Sequence, residues 1–319
     1  MSTLIEVKHL KKYFKVPAGQ LHAVDDVSFK IEKGKTMGIV GESGCGKSTL
    51  GRTMIHLTES TDGQIIFDGR DVTTLNAQEL KAYRHEVSII FQDPYSSLNP
   101  RMTAEQTVVE ALKITGRYTR EQLTGETKRI FDLVGLDQRF LKAYPHELDG
   151  GRRQRVGIGR ALALNPKFIV CDEPVSALDV SIQAQILNLL MDFQQEFDLT
   201  YLFITHNMSV VRHISDSICV MYLGQLVETC ETKELFDRTL HPYTKALLSA
   251  IPSTDIDHQR EQILMKGELT SPINPAPGCR FAARCPYVCE QCHQPPHLEE
   301  LLPGHFVSCC RARELNRLD

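Results

Sequence analysis

The stretch GESGCGKST, Gly41 to Thr49, lies between the short apolar run TMGIV and the segment KSTLGRTMIHL, whose apolar residues recur at helical spacing. A buried strand, a glycine-rich turn and a helix therefore follow one another directly. The stretch matches G-x-x-x-x-G-K-[ST] at Gly41, Gly46, Lys47 and Ser48. Glycines let backbone N–H groups curl around phosphate oxygens. The helix that follows adds the partial positive charge of its N-terminus. Lys47 is placed to reach β- and γ-phosphates, and the Ser48 hydroxyl to ligate Mg²⁺. Gly41, Ser43, Gly44, Cys45, Gly46, Lys47, Ser48 and Thr49 are thus the candidate nucleotide contacts. Cys45 reads as a small tolerated side chain, or as a redox-sensitive thiol acidified by the helix N-terminus.

Outward from this loop, VSIIFQDP (Val87–Pro94), KFIVCDEP (Lys167–Pro174) and TYLFITHN (Thr200–Asn207) read as further buried strands. SIQAQILNLLMDFQQEF is amphipathic at helical period, and the region from about Thr103 to Leu148 turns helical and polar. LIEVKHLKKYF and LHAVDDVSFKIEKG read as N-terminal strands. Strands alternating with helices predict a parallel α/β sheet. In KFIVCDEP, Asp172 ends an apolar strand, where a carboxylate would meet Mg²⁺, and Glu173 is the candidate general base for an attacking water.

At 319 residues the chain suits one large domain plus a small one. Its net charge of −4 gives no electrostatic reason to expect general nucleic-acid binding. No run of about 18 apolar residues marks a membrane span, and MSTLIEVKHL lacks the apolar core of a signal peptide. A cytoplasmic location is expected. Six of the ten cysteines crowd between Cys279 and Cys310, which in that compartment favours metal ligation over disulfides. Prolines accumulate after about Ile251 and periodicity fades, which places a boundary near residues 250–265.

The motifs together resemble the nucleotide-binding subunit of an ABC transporter over roughly residues 4–250. They stand in that family's order: the phosphate loop, FQDP at Gln92, a signature region at Leu148–Arg152, Asp172–Glu173, SALD at Ser176–Asp179, and ITHN at His206. The fold this implies is α/β, a P-loop NTPase of ABC type. It has a parallel-sheet core, an N-terminal antiparallel β part and a helical subdomain at about 95–160. That domain would span 1–255, with a small Cys-rich extension at 256–319.

The resemblance assigns Gln92 to Mg²⁺ or the attacking water, His206 to the γ-phosphate, and an aromatic to adenine. Phe14 is the candidate there and Tyr13 its competitor.

GESGCGKSTLGR, FQDPYSSLNPR, DEPVSALDVSIQAQILNLL, MYLG, HPYT and the tail look like the oligopeptide/dipeptide/nickel importer branch, most like the second ATPase subunit of a dipeptide-type importer. This implies ATP and Mg²⁺, a second homologous ATPase subunit, two integral-membrane permeases, an extracytoplasmic substrate-binding protein, and a peripheral position on the cytoplasmic face of the membrane. The alternative is a soluble ABC ATPase in translation, repair or iron–sulfur assembly. The absence of a duplicated domain or a long heptad run argues against the first two.

The tail spacing C-x5-C-x6-C-x16-C through Cys279, Cys285, Cys292 and Cys309 also matches this branch, some of whose members resemble holders of a [4Fe–4S] cluster. Zinc, or no metal, remains open at the same thiols, with Cys289 and Cys310 as spare or alternative ligands.

The signature departs from the family's L-S-G-G-Q. Here it is Leu148, Asp149, Gly150, Gly151, Arg152. In the family this stretch faces the nucleotide held by the partner's phosphate loop, and an ionised Asp149 cannot donate a hydrogen bond to it. At about 4 Å from a phosphate charge the repulsion is roughly 4 kcal/mol at intermediate dielectric. Arg152 returns the charge, and Asp149 suits the N-cap of the following helix. Either the variant signature is fully active, or one of two ATP sites turns over slowly.

Overall fold

The computed structural model describes residues 2–251, 262–265, 267 and 271–318. Within them, in chain order, run the strands β1 Thr3–Val16, β2 Gly19–Glu32, β3 Thr36–Val40, β4 Asp62–Phe67, β5 Arg70–Asp71, β6 Val87–Ile90, β7 Phe168–Asp172, β8 Thr200–Ile204, β9 Ser217–Tyr222, β10 Gln225–Glu231, β11 Glu299–Leu302 and β12 His305–Val307. The chain divides into two compact units. One comprises 1–2, 32–35 and 74–204; the other comprises 3–31, 36–73 and 205–319. The boundary expected at 255/256 lies outside the described residues.

The first unit is built on the parallel ladder β8-β7-β6. Phe168 pairs with Thr200 and with Val87, and the register runs without a slip to Asp172 opposite Ile204. All five residues of β7 are buried, as strands covered on both faces require. Helix Val180–Phe197 turns Ile186, Leu187, Leu190 and Phe193 inward. Their spacing keeps them on one stripe, and each buried side chain contributes about 2 kcal/mol.

The expected helical region resolves into Ala104–Thr115, Arg120–Leu133 and Gly150–Leu162, the last two joined through the 3₁₀ turns Gln138–Phe140 and Pro145–Glu147. The first two start at capping boxes, Thr103 with Gln106 and Thr119 with Gln122. Each box satisfies two backbone donors reciprocally.

The second unit holds two sheets. The antiparallel one has the order β2-β1-β4-β5. Its strand β4 has too little alternation to stand out in the sequence; it joins because β1 offers it an edge, with Ile5 opposite Phe67. The other part runs β11-β12-β10-β9-β3. There β3 lies parallel to β9, and β10 and the tail strands add antiparallel.

The Cys-rich tail is therefore not a loop stapled by cysteines alone. Its hairpin extends the sheet through Glu228 opposite Val307. Glu228 and His305 are fully buried, 2.8 Å apart. The same carboxylate accepts from the backbone N–H groups of Leu240 and His241, so both of its buried oxygens have partners.

His241 lies beside this pair, 1% exposed. Its Nδ1 accepts from the N–H of Tyr243 and caps helix Pro242–Ser249. Burial pushes its pKa down to about 4, with Glu228 opposing. A neutral histidine in the fold and an ordinary one near 6.5 in the unfolded chain mean that protons favour unfolding. Its contribution is complete above pH 6.5 and is lost as pH falls towards 4, by roughly 3 kcal/mol at the lower end. His241→Asn keeps a capping acceptor and removes the titration. Its melting temperature should fall less than the wild type's between pH 6.5 and 4; parallel curves would assign the acid loss elsewhere.

Candidate nucleotide and thiol sites

The residues singled out for nucleotide chemistry fall in both compact units. Each set is described within its own unit.

In the second unit, β3 is buried at all five positions and delivers the chain into the glycine-rich turn. Gly46 caps helix Lys47–Met54 with φ +104°, and a Cβ there would stand 1.9 Å from the Ala23 carbonyl oxygen. Gly41, at φ +154°, faces the Met221 carbonyl in the same way, at 2.1 Å. No side chain fits either position, so the turn follows from the glycines. Lys47 is 5% exposed, and its ammonium donates to the carbonyls of Gly41 (2.8 Å) and Glu42 (2.9 Å). Ser48 and Thr49 continue on the first turn of the helix.

Cys45 is 1% exposed, and burial pushes its thiol up. Lys47 at the start of the helix pulls it down, but burial outweighs that, which favours the small tolerated side chain over the redox reading.

Phe14 is 36% exposed, with the Lys12 ammonium 4.8 Å from its ring centre. Tyr13 is engaged elsewhere: its ring stacks on His22 at 4.0 Å and its hydroxyl donates to Asp25. His206 is exposed just beyond β8, next to Asn207, which caps helix Met208–Ile214.

In the first unit, Asp172 ends β7 at 1% exposure. The following residue, Glu173, takes φ +48°. A non-glycine side chain in the left-handed region is strained. Here the conformation is fixed by the Glu173 N–H donating to Ile204 O at 2.9 Å. The Gln92 amide donates to the Glu173 carboxylate at 3.0 Å. Gln92 and Glu173, 81 residues apart in sequence, thus share one polar contact, and Asp172 stands next in the chain.

Asp149 caps helix Gly150–Leu162 as its residue type predicts. Its carboxylate accepts from the Arg152 N–H at 2.8 Å and from the Arg152 guanidinium at 2.6 Å. Arg152 also lies over the Phe140 ring, 4.5 Å from its centre. Gly151 packs under Ile182, where a Cβ would come to 2.8 Å of Cγ2. The acid and the arginine of the variant signature therefore neutralise each other within one helical turn.

The tail thiols converge. Cys279, Cys285, Cys292 and Cys309 all line one cavity of about 330 Å³, and Cys310 joins them. The pattern C-x5-C-x6-C-x16-C thus does surround a common space. The tightest grouping is another one: Sγ of Cys292 lies 3.7 Å from those of Cys289 and Cys310, which are 4.0 Å from each other. These three are close enough to share one ion. Burial pushes Cys279 up to about 11 and Cys310 to about 12. A thiophilic cation would have to displace those protons.

The sequence reading missed a set of contacts that tie the tail to the phosphate loop. Arg284 pairs with Glu42 at 2.7 Å, and Arg280 with Asp25. Partners 242 and 255 residues apart carry no local pattern to announce them.

The family described as "ABC transporter" matches residues 24–176, and "Oligopeptide/dipeptide transporter, C-terminal region" matches 227–292. The oligopeptide transport ATP-binding protein AppF of Bacillus subtilis is 50% identical over 318 residues, 96% of this chain and 97% of that protein. The chain belongs to the ATP-binding subunits of ABC transporters. Oligopeptide transport ATP-binding protein OppF of the same organism is 46% identical over 97% of each chain. A solved dimeric ATP-binding cassette in a post-hydrolysis state with ADP and Pi superposes with a TM-score of 0.67 at 29% identity, covering 72% of this chain and 99% of that one. This ABC subunit is an ATPase of α/β fold with a parallel-sheet core. Among its described residues no helix is long and apolar enough to cross a membrane.

Proposed function

We propose that this ABC subunit powers uptake of di- or oligopeptides, or a related cargo such as a nickel chelate, from the cytoplasmic face of a membrane. The observation that carries the reading is near-full-length similarity to oligopeptide transport ATP-binding proteins, reaching through the tail. It works with a second homologous ATPase subunit, two permeases and an extracytoplasmic binding protein. Lys47 and the amides of Gly41–Thr49 bind the ATP phosphates, Ser48, Gln92 and Asp172 serve Mg²⁺, and Phe14 stacks on adenine. Glu173 polarises the attacking water, oriented by Gln92, and His206 contacts the γ-phosphate.

The assembled system carrying Lys47→Ala should bind ATP poorly and lose uptake of labelled peptide. Glu173→Gln should bind ATP but hydrolyse it about 100-fold more slowly or worse. Uptake that survives both, or a chain that purifies with ribosomes and no permease, would reject the transport reading in favour of a soluble role.

The signature supports unequal ATP sites. In the dimeric relative, two cassettes hold the hydrolysis products. If this chain pairs likewise, Asp149 faces the partner's nucleotide. Its carboxylate occupies an amide at the helix N-terminus that a phosphate would otherwise use, and Arg152 offsets only the charge. The site completed by Asp149 then turns over slowly. Asp149→Ser with Arg152→Gln should raise ATPase activity of the assembled transporter; an unchanged or lower rate would count against inequality.

The tail is also read as a metal-binding element. Cys279, Cys285, Cys292 and Cys309 would hold a [4Fe–4S] cluster around the cavity, and Cys289, Cys292 and Cys310 suit a single zinc. Either group would cross-link the tail. Anaerobically purified chain should carry iron with absorbance near 400 nm; zinc without iron would exclude the cluster, and neither metal would exclude both.

A further inference from the structure

The phosphate loop faces a mechanical problem. It grips with backbone amides, and its glycines carry no side chains with which to hold their own shape. Its conformation has to be fixed from outside. Two arginines of the tail, Arg280 and Arg284, make contacts that lead to the loop.

Arg284 closes the short 3₁₀ turn Ala282–Arg284, and its side chain is 10% exposed. Its Nη1 meets Glu42 Oε2 at 2.7 Å. Glu42 is the second residue of the loop, and it is held again through its backbone, its N–H donating to the Tyr243 hydroxyl at 3.0 Å. The carbonyl of that same residue receives the Lys47 ammonium at 2.9 Å. A single residue therefore connects Arg284 to the lysine that meets phosphate.

The side chain of Arg280 is 6% exposed. Its Nη2 pairs with Asp25, and its Nη1 donates to Leu223 O. Gly224, the next residue, donates its N–H to the Cys45 carbonyl at 2.8 Å and accepts from the Asp25 N–H at 2.8 Å. Asp25 in turn accepts from the Tyr13 hydroxyl, next to Phe14.

We propose that Arg284 and Arg280 are positioning residues for nucleotide: the tail pre-forms the phosphate loop through Arg284–Glu42 and braces it at Cys45 through Arg280. A loop held in its binding shape avoids the cost of being ordered when ligand arrives, and loses affinity when released. The inference rests on ATP binding at this loop.

A rival cause has the opposite sign. If Arg284 and Glu42 acted on ATP only through their charges, removing the cation would weaken binding and removing the anion would strengthen it. A positioning pair requires both changes to weaken it. The test is the Kd of a fluorescent ATP analogue for the folded full-length chain.

Arg284→Gln and Glu42→Gln should each raise Kd about tenfold. The double variant should be no worse than either single one, since both break the same contact. Arg284→Lys should recover part of the loss, and Arg280→Gln should weaken binding independently of Glu42.

Unchanged or tighter binding by Glu42→Gln would overturn the proposal for Arg284, as would fully additive losses in the double variant. A Kd unchanged in Arg280→Gln, even with a lower melting temperature, would reduce that arginine to packing. Wild-type chain that binds no ATP analogue would instead remove the functional reading itself.

Discussion

A loop proposed to bind phosphate through its main chain constrains everything around it. Backbone amides converge only when the chain turns through conformations that side chains forbid. Gly41 and Gly46 meet that demand, each pressed against a carbonyl where even a methyl group has no room. A turn of this kind is anchored by what flanks it. On one side is the fully buried strand β3, on the other a helix whose first residue, Lys47, is tied back to Gly41 and Glu42. The remaining anchors come from far along the chain, through Tyr243, Gly224 and the tail arginines.

The first unit solves a related problem with carboxylates. Asp172 is brought to the end of a wholly buried strand, where its charge is costly unless it is used. Glu173 takes a left-handed conformation that is unfavourable for its residue type and is fixed by a bond to Ile204. The Gln92 amide rests on that carboxylate.

The tail shows how poorly composition predicts cohesion. Prolines and fading periodicity suggest a segment in need of a metal. Yet it contributes a hairpin to the sheet, a buried Glu228–His305 pair and the buried ring of Phe281. The thiols around its cavity are an addition to this framework, and two of them, Cys279 and Cys285, are chain neighbours of the arginines that reach the phosphate loop.

The sequence by itself determined the strand, glycine-rich loop and helix around Gly41–Thr49, the buried strand ending in Asp172, and the cap at Asp149. Each is specified by neighbours within a few residues, through periodicity, glycine or hydrogen-bonding type. It could not supply strand β4, whose order comes from the edge of β1. Nor could it tell which thiols approach one another, or show that Tyr13 is engaged by His22 and Asp25. The pairings of Arg284 with Glu42 and Arg280 with Asp25 were equally hidden. The two arginine pairings depend on chain closure over 242 and 255 residues. Their free energy is realised only after the sheets have brought both partners together, so no local pattern encodes them.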